Sequence, residues 1–250
     1  MVTGASSGIG RALAIELARH GVDSILVARR EDRLAEVAKQ VAELGRRAIS
    51  VAGDITNPDT RRRALDAARN ELGGLEILVN NAGVAAHGRF ADADPARLRP
   101  IMEVNFFAPV ELIRESLPLL KVGNEPIIVN VGSILGHRGC PHKSEYSASK
   151  FALHGFSEAL RPELARLGVD VLVVAAGPTE SEHFDALIED QGALPWGNPR
   201  RKPADQVARS IVRAIQRGKH EVITGGRGWF WVMLNRLSPR LVDVIMARYG

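Results

Sequence analysis

Cysteine is almost absent from this sequence, since Cys140 is the only one among 250 residues. A single cysteine excludes an internal disulfide and any metal site built from several thiolates. The seven histidines do not show the short spacings that are typical of zinc sites, so no metal ion is predicted. A Cys140 thiol paired with a nearby histidine is a conceivable nucleophile, but no third orienting group is evident. A place in a pocket wall or on the surface is favoured for Cys140, and His137 and His142 are also expected to line the substrate pocket.

Long hydrophobic runs and strong charge are also missing. No uncharged apolar run approaches the roughly 18 residues of a membrane span. Glycine begins at Gly4, where a secretory signal would be apolar, so a cytoplasmic protein is expected. Thirty-three Lys and Arg stand against 29 Asp and Glu, which leaves a net charge of +4. The basic residues form only short runs, so no nucleic-acid partner is predicted.

Short apolar runs alternate with longer helical stretches along the chain. This alternation, with strands that are apolar throughout, predicts a doubly wound α/β fold with a parallel sheet, in one domain over residues 1–250. The predicted strands are Val22–Ala28, Arg47–Val51, Leu75–Val79, Pro126–Val131, Val169–Ala175 and His220–Thr224. The predicted helices are Arg11–His20, Glu31–Leu44, Pro58–Leu72, Pro95–Leu120, Tyr146–Leu167 and Pro203–Arg217.

A glycine-rich loop opens the chain and runs into the first helix. Its glycines have the spacing Gly-x3-Gly-x-Gly. Glycine lets the backbone turn tightly and approach a phosphate, and a helix N-terminus favours an anion. The alternative is a turn with a purely structural role. The candidate phosphate-binding residues are Gly4, Ser6, Ser7, Gly8, Ile9 and Gly10.

Tyr146 and Lys150 stand four positions apart on one predicted helix, so they share a face. A nearby ammonium lowers the pKa of a phenol, and such a tyrosine exchanges a proton with an alcohol or ketone near neutral pH. Ser133 follows a predicted strand at its carboxyl end, where ligands bind in open α/β sheets. Taken alone, the Tyr and Lys pair is also common on helix surfaces.

Together with Asn80-Asn81-Ala82-Gly83 and Asn105, these motifs resemble the short-chain dehydrogenase/reductase family over nearly the whole chain. The resemblance implies a Rossmann-type fold and hydride transfer between a nicotinamide cofactor and a ketone, aldehyde or secondary alcohol. It implies that Tyr146 is the general acid/base, that Ser133 binds the substrate oxygen and that Lys150 lowers the tyrosine pKa and holds the ribose. Asn105 would support a proton relay to Lys150, or else mark a helix kink. The helices around Asn105 and Tyr146 would form a homodimer or homotetramer.

The cofactor choice depends on the end of the second strand. Ala28 stands where the NAD type of the family carries an acidic residue, and Arg29 and Arg30 follow it. An arginine fork suits the 2′-phosphate, so NADP(H) is preferred and NAD(H) remains possible. Family resemblance adds further cofactor-binding candidates, which are Asp54, Ile55, Asn81, Ala82, Gly83, Gly177, Pro178, Thr179 and Ser181, beside Tyr146 and Lys150.

Three features depart from the family pattern. Ala176 replaces a proline, which is expected to loosen the nicotinamide-side loop. Pro162 lies inside the helix of Tyr146 and predicts a kink beyond Lys150. Only Met1–Thr3 precede the glycine loop, so the first strand is expected to be truncated.

Two segments remain for the substrate. Residues 181–203 carry several Gly and Pro and predict a lid, with a variable surface loop as the alternative. Residues 229–250 form an apolar tail that we expect to pack on the core or on a partner subunit, although its Trp and Arg residues also suit a membrane surface. Two other functions stay open: a cofactor-binding sensor or scaffold without turnover, and a membrane-peripheral reductase of lipid-like carbonyls.

Overall fold

A computed structural model describes residues 1–180, 187–190 and 201–249. The described strands form a seven-stranded parallel sheet in the order β3-β2-β1-β4-β6-β7-β9. These strands are β1 (Val2–Thr3), β2 (Ser24–Ala28), β3 (Ala48–Ala52), β4 (Ile77–Asn80), β6 (Ile127–Val131), β7 (Asp170–Ala176) and β9 (Glu221–Thr224). Strand order reverses between β1 and β4, and this switch point is where ligands bind in such sheets. The predicted doubly wound α/β fold is confirmed.

Helices cover both faces of the sheet. On one face, Leu13 of α1 (Gly8–Arg19), Val37 of α2 (Glu31–Glu43) and Ile211 of α7 (Ala204–Gln216) are fully buried. The other face packs under α3 (Pro58–Glu71), α5 (Ala108–Leu120) and α6 (Ser144–Ala165), with Leu112 and Leu164 in its core. Coverage on both sides explains why the strands are apolar throughout.

The central strand β1 has only two residues. Val2 pairs with Leu26 on one side and with Val79 on the other, and it is fully buried. The hydroxyl of Thr3 then accepts hydrogen bonds from the backbone N–H groups of Asn81 and Ala82, at 3.0 and 3.1 Å. These bonds continue the connection between β1 and β4 beyond the end of the short strand.

The single helix predicted over Pro95–Leu120 is wrong in detail. A 3₁₀ turn at Phe90–Asp92 precedes this segment. The segment itself consists of a 3₁₀ turn at Pro95–Arg97, α4 (Leu98–Met102), a π-helical stretch (Glu103–Phe107) and α5. The N–H of Ala108 bonds to the carbonyl of Glu103, five residues back. Pro109 has no N–H and therefore cannot bond to the carbonyl of Asn105 as a regular α-helix would require. The irregular turn thus falls on Asn105, and such π-bulges are frequent at functional sites.

A second, two-stranded sheet lies at the edge of the molecule. It pairs β5 (Ala85–His87) with β8 (Leu187–Asp190), in parallel. The chain ends in α8 (Gly226–Leu237), α9 (Pro239–Met246) and a 3₁₀ turn at Ala247–Tyr249. α6 continues through Pro162 to Ala165, so the helix is not interrupted there. None of the described helices is long and apolar enough to cross a membrane.

Candidate active site

A cavity of about 890 Å³ follows the carboxyl ends of the central strands. We call the part around Gly4–Ile9, Arg29, Arg30, Asp54 and Asn81–Gly83 the glycine-loop half. The part around Ser133, Tyr146 and the C-terminal helices is the tyrosine half. Nearly all predicted site residues line one of the two halves. Gly10 and Asn105 are the exceptions among the described residues, and Ser181 lies outside the described residues.

The glycine loop is held against the end of β4. Gly4 and Gly8 have positive φ angles of 65° and 52°, which side chains rarely tolerate. A Cβ on Gly10 would stand 2.3 Å from the carbonyl oxygen of Gly4, so Gly10 serves close packing behind the cavity wall. The amide of Asn81 donates to the carbonyl oxygens of Thr3 and Gly4, at 2.9 and 3.3 Å. The loop is therefore fixed before any ligand binds.

The first turn of α1 faces the cavity. Ser7 is the N-cap residue, and among the described contacts its side chain makes no capping hydrogen bond. The first turn of α1 also contains no acidic residue. The N–H groups and the positive end of the helix dipole are therefore directed at the cavity, where they favour a phosphate.

Two arginines stand at the far end of the glycine-loop half. Ala28 ends β2, and Arg29 and Arg30 follow it, exposed and on the cavity wall. Nη2 of Arg30 donates to the hydroxyl of Ser6 at 3.3 Å. Positive charge thus lies directly beside the phosphate loop.

Asp54 lies on the same wall, after β3. Its Oδ1 accepts from the N–H and the hydroxyl of Thr56, at 2.9 and 2.8 Å. These bonds orient the carboxylate beside Ile55 on the wall of the cavity.

Ser133, Tyr146 and Lys150 meet in the tyrosine half. Ser133 caps the 3₁₀ turn Ile134–Gly136, and its hydroxyl accepts from the N–H of Leu135 at 3.1 Å. Tyr146 shares a hydrogen bond with Ser133. Nζ of Lys150 lies 5.7 Å from the centre of the tyrosine ring and donates to the carbonyl of Val131 at 3.1 Å. The sequence prediction that these three residues share one site is matched by this geometry.

The pKa values differ from the expectation that Lys150 lowers the pKa of Tyr146. Burial raises the pKa of Tyr146 to about 12, and the hydrogen bond with Ser133 acts in the opposite direction. Burial also lowers the pKa of Lys150 to about 8. The ammonium donates to the carbonyl of Val131, and desolvation is the largest cause of the pKa shift at both residues. The phenol is therefore protonated near neutral pH.

Asn105 supports the site from behind. Its Oδ1 accepts from the N–H of Val84, and its Nδ2 donates to the carbonyl of Val84 and to the hydroxyl of Ser149, all at 2.9 Å. These hydrogen bonds join the loop after β4 to α6. Asn105 is thus both the centre of the irregular helix turn and a fixed neighbour of the Lys150 helix.

A buried arginine that the sequence did not reveal links α6 to β8. Arg97 donates to both carboxylate oxygens of Glu145, at 2.9 and 3.0 Å, and to Glu189 at 3.1 Å. The side chain of Arg97 is only 1% exposed. Glu145 immediately precedes Tyr146, so the network connects the tyrosine with the described part of the predicted lid. Leu187 of β8 lines the cavity.

The C-terminal helices close the tyrosine half. Trp231, Val232, Ile245, Met246 and Tyr249 line the cavity. Arg138 is tied to Asn235 and Asp243, which anchors α8 and α9 to the loop that follows Ser133. The tail therefore packs on the core, as expected.

Cys140 lines the cavity, and burial raises the pKa of its thiol to about 11. A thiol with this pKa stays protonated near neutral pH, which argues against a thiolate nucleophile. His137 does not join Cys140 on the cavity wall, because its ring lies against His154 and Glu221. His142 is also absent from the cavity wall formed by the described residues. The expectation that both histidines line the pocket was therefore wrong for the described cavity wall.

The segment after β7 completes the cavity. Gly177, Pro178 and Thr179 line it, and the N–H of Gly177 donates to the hydroxyl of Thr224 at 3.2 Å. Ala176 pairs with Thr224, so β7 extends to the residue where the family pattern has a proline. The hydroxyl of Thr179 donates to the carbonyl of Gly177 at 2.9 Å.

The sequence matches the family described as short chain dehydrogenase over residues 1–192. This chain belongs to the short-chain dehydrogenase family. It is 39% identical to 11-beta-hydroxysteroid dehydrogenase 1A of Arabidopsis thaliana, over 97% of this chain and 72% of that protein. It is 30% identical to the ketoacyl reductase HetN of a Nostoc species, over 100% of this chain and 88% of that protein. A short-chain dehydrogenase from Burkholderia cenocepacia, solved in complex with NADP, superposes with a TM-score of 0.81 at 28% identity and covers 98% of this chain and 95% of its own.

As a member of the short-chain dehydrogenase family, the protein is an oxidoreductase that acts on CH–OH or C=O groups with NAD(P). The residues present fit that cofactor. The glycine cradle leaves no room for a Cβ at Gly10, and the uncapped start of α1 and two arginines offer positive potential to phosphates. When bound, the nicotinamide accepts or supplies the hydride.

Proposed function

We propose that this short-chain dehydrogenase is an NADP(H)-dependent enzyme that interconverts a ketone or aldehyde and an alcohol, with Tyr146 as the general acid/base. The observation that carries the proposal is the set Ser133, Tyr146 and Lys150, brought together on the cavity wall. A sensor or scaffold that only binds the cofactor has no use for such an acid/base set.

Each residue of the set has a distinct role. Tyr146 donates its phenolic proton to the substrate oxygen in reduction and removes it in oxidation. Ser133 donates a hydrogen bond to the same oxygen and orients it toward Tyr146. Lys150 holds the nicotinamide ribose, and its Nζ lies 5.7 Å from the centre of the tyrosine ring. Asn105 is a positioning residue for the proton relay to Lys150, because its side chain fixes Ser149 and the loop at Val84.

The proposed preference for NADP(H) rests on Arg29 and Arg30. They place two positive charges at the end of β2, beside Ser6 of the phosphate loop. A 2′-phosphate would find charge-assisted donors there. The relative from Burkholderia cenocepacia was solved with NADP. The remaining contacts are assigned to the phosphate loop Gly4–Gly10, to Asp54, Ile55 and Asn81–Gly83 for the adenosine, and to Gly177–Thr179 for the nicotinamide.

The proposed substrate is a bulky apolar carbonyl compound or its alcohol. The tyrosine half is lined by Leu135, Trp231, Val232, Ile245 and Met246. Its charged lining residues are Arg138, Lys143 and Lys150. The names of the two curated relatives, a ketoacyl reductase and a hydroxysteroid dehydrogenase, agree with an apolar substrate. Residues 181–203 act as the lid, and residues 229–250 form the opposite wall of the binding site.

We further propose a homodimer or homotetramer in the cytoplasm. Phe107 and Phe151, on the segments of Asn105 and Tyr146, are 48% and 44% exposed. Two large exposed aromatic side chains on these helices are suited to a subunit interface. Light scattering coupled to size exclusion tests the assembly, and Phe107→Ser combined with Phe151→Ser should yield a monomer.

The test of the proposed function is a screen for NADPH oxidation over a panel of carbonyl compounds. We expect turnover with bulky apolar ketones and slower turnover with small polar ones, and NADH should be the poorer hydride donor. Tight NADPH binding without turnover on any compound of the panel would favour the sensor or scaffold.

A membrane-peripheral enzyme is the second candidate. Trp229 and Phe230 of α8 and Leu237, Leu241 and Val244 are between 48% and 85% exposed on the outer side of the tail. Apolar side chains of this size beside arginines suit a lipid surface. Co-sedimentation with anionic vesicles should be lost in Trp229→Ser combined with Phe230→Ser if this candidate is right.

A further inference from the structure

Three side chains with metal-binding atoms meet behind the tyrosine half. His137 follows the 3₁₀ turn that Ser133 caps, His154 lies on α6 one turn after Lys150, and Glu221 begins β9. One ligand atom from each lies within 4.8 Å of the others. The two imidazole rings are 4.3 Å apart between centroids. The function proposed above uses none of these three residues.

Two atoms of this cluster already contact each other in a buried place. Nε2 of His137 and Oε1 of Glu221 are 2.7 Å apart, and this contact lowers the pKa of Glu221. Apart from each other, neither atom has a further hydrogen-bond partner among the described residues. The side chain of His137 is only 7% exposed, so water has little access to it.

The donor set is that of a transition-metal site. Two imidazoles and one carboxylate bind zinc in sites that keep a fourth position open. Ligand atoms around tetrahedral zinc lie about 3.3 Å apart, from Zn–N and Zn–O bonds of about 2.0–2.2 Å. The separations between the ligand atoms of His137, His154 and Glu221 range from 2.7 Å to at most 4.8 Å, on both sides of that value. Small side-chain rotations would therefore suffice to place the three atoms around one metal ion.

The surroundings resemble those of a metal site as well. Oε1 of Glu158 lies 3.3 Å from Nε2 of His154. Metal-bound histidines usually donate their other ring N–H to such a carboxylate. Arg236 stands 3.6 Å from the second oxygen of Glu221, half-exposed, and its positive charge opposes binding in part.

We propose that His137, His154 and Glu221 bind one divalent transition-metal ion, of which zinc is the best match. The ion would join the loop of Ser133, the helix of Tyr146 and strand β9. Asn235 already donates to the carbonyl of His137 at 3.2 Å, so α8 would be held as well. The site does not depend on the function proposed above.

The test is metal binding by tag-free, chelator-treated full-length protein. Cobalt(II) should bind at one equivalent and give the visible absorption of a four- or five-coordinate ion, and Zn²⁺ should displace it. Zn²⁺ should also raise the midpoint of thermal unfolding. His154→Ala and Glu221→Gln should each lower Zn²⁺ affinity by about 100-fold or more, since even second-shell changes cost about 10–100-fold.

His20→Ala is the matched control, because His20 is exposed at the end of α1 and bonds to the carbonyl of Glu16. It should bind Zn²⁺ like the unchanged protein. Circular dichroism and NADPH binding verify that each variant is folded. Equal Zn²⁺ affinity in the unchanged protein and in folded His154→Ala would overturn the proposal. So would the absence of stoichiometric Zn²⁺ or Co²⁺ binding, which would leave a metal-free ion pair of His137 and Glu221.

Discussion

The glycine-loop half and the tyrosine half of the cavity are built differently. The glycine-loop half consists mainly of backbone and short side chains, which directly follow β1, β2, β3 and β4. The tyrosine half consists of larger side chains from segments far apart, among them Leu135, Leu187, Trp231 and Met246. A backbone site offers the same N–H groups to any dinucleotide, whereas a side-chain site can change its substrate by local substitution. The comparison predicts that a substitution in the glycine-loop half changes cofactor affinity with little effect on the substrate. A substitution in the tyrosine half should do the reverse.

Gly10→Ala should give the largest separation between the halves. The new Cβ would stand 2.3 Å from the carbonyl oxygen of Gly4, so the loop must move. Overpacking of this kind costs about 1–3 kcal/mol or more, and lost phosphate contacts add to it, so we expect NADPH affinity to fall by about 100-fold or more. Fluorescence titration with NADPH measures this change.

Gly155→Ala is the matched control, because a Cβ on this glycine of α6 meets nothing within 4 Å. It should leave NADPH affinity unchanged and stabilise the helix by up to about 1 kcal/mol. Equal NADPH affinity in both variants would mean that the cofactor does not use the glycine loop.

Lys150→Met probes the point where the two halves meet. Burial lowers the pKa of Lys150 from 10.5 to about 8. Below pH 8 the lysine is charged in both the folded and the unfolded protein, so the full cost of burying the charge is present. As pH rises from 8 toward 10.5, the folded protein has lost the proton while the unfolded chain still binds it, and the cost disappears.

We therefore expect the free energy of unfolding of Lys150→Met to exceed that of the unchanged protein below pH 8. The difference should be up to about 3 kcal/mol, reduced by the contribution of the lost hydrogen bond to Val131. The difference should vanish by about pH 10.5. Denaturant unfolding at several pH values measures it, and a difference that does not vary with pH would contradict the assignment.

Arg29→Asp should change the cofactor preference without changing the substrate. Hydrogen bonds to charged groups contribute about 1.5–3 kcal/mol, so NADPH affinity should fall by about 10–100-fold while NADH affinity changes little. Arg30→Asp, whose guanidinium contacts Ser6, separates the roles of the two arginines. An unchanged NADPH to NADH ratio in both variants would remove them from cofactor recognition.

Glu189→Gln should give the smallest effect, confined to the tyrosine half. It weakens the contact of β8 with Arg97, at 3.1 Å, but keeps the shape of the side chain. A partly exposed ion pair contributes about 1 kcal/mol at most, so the substrate KM should rise by up to about fivefold. NADPH affinity should stay constant, as it should in the remote control Asp205→Asn on α7. A change in NADPH affinity without a change in the substrate KM would show that β8 affects the glycine-loop half instead of the tyrosine half.

The sequence predicts more of the residues in the glycine-loop half than in the tyrosine half. The glycine loop, Asp54 and Asn81 are predicted because they match motifs of the short-chain dehydrogenase family, and apolar runs reveal the strands that precede them. Ser133, Tyr146 and Lys150 are predicted because they complete that family match, although Tyr146 and Lys150 also share a helix face. Arg97 was missed, since its partners Glu145 and Glu189 are 48 and 92 residues away along the chain.

The cluster of His137, His154 and Glu221 was missed for the same reason. The prediction of no metal site depended on short histidine spacings, but parallel strands and crossover helices bring distant residues together. The π-helical turn at Asn105 had a visible cause in Pro109, yet a proline alone does not tell how a helix adjusts. The pKa of Tyr146 could not be predicted either, because desolvation depends on packing from several elements.

Tyr146→Phe tests the central claim most directly, because it removes one hydroxyl from a ring that keeps its place. NADPH affinity is measured by fluorescence, and reduction of the best ketone of the panel is measured by NADPH oxidation. General acid catalysis contributes about 100-fold to 10,000-fold, so kcat should fall by at least that factor while NADPH affinity stays within about threefold. Ketone reduction at an undiminished kcat in this variant would show that Tyr146 is not the proton donor.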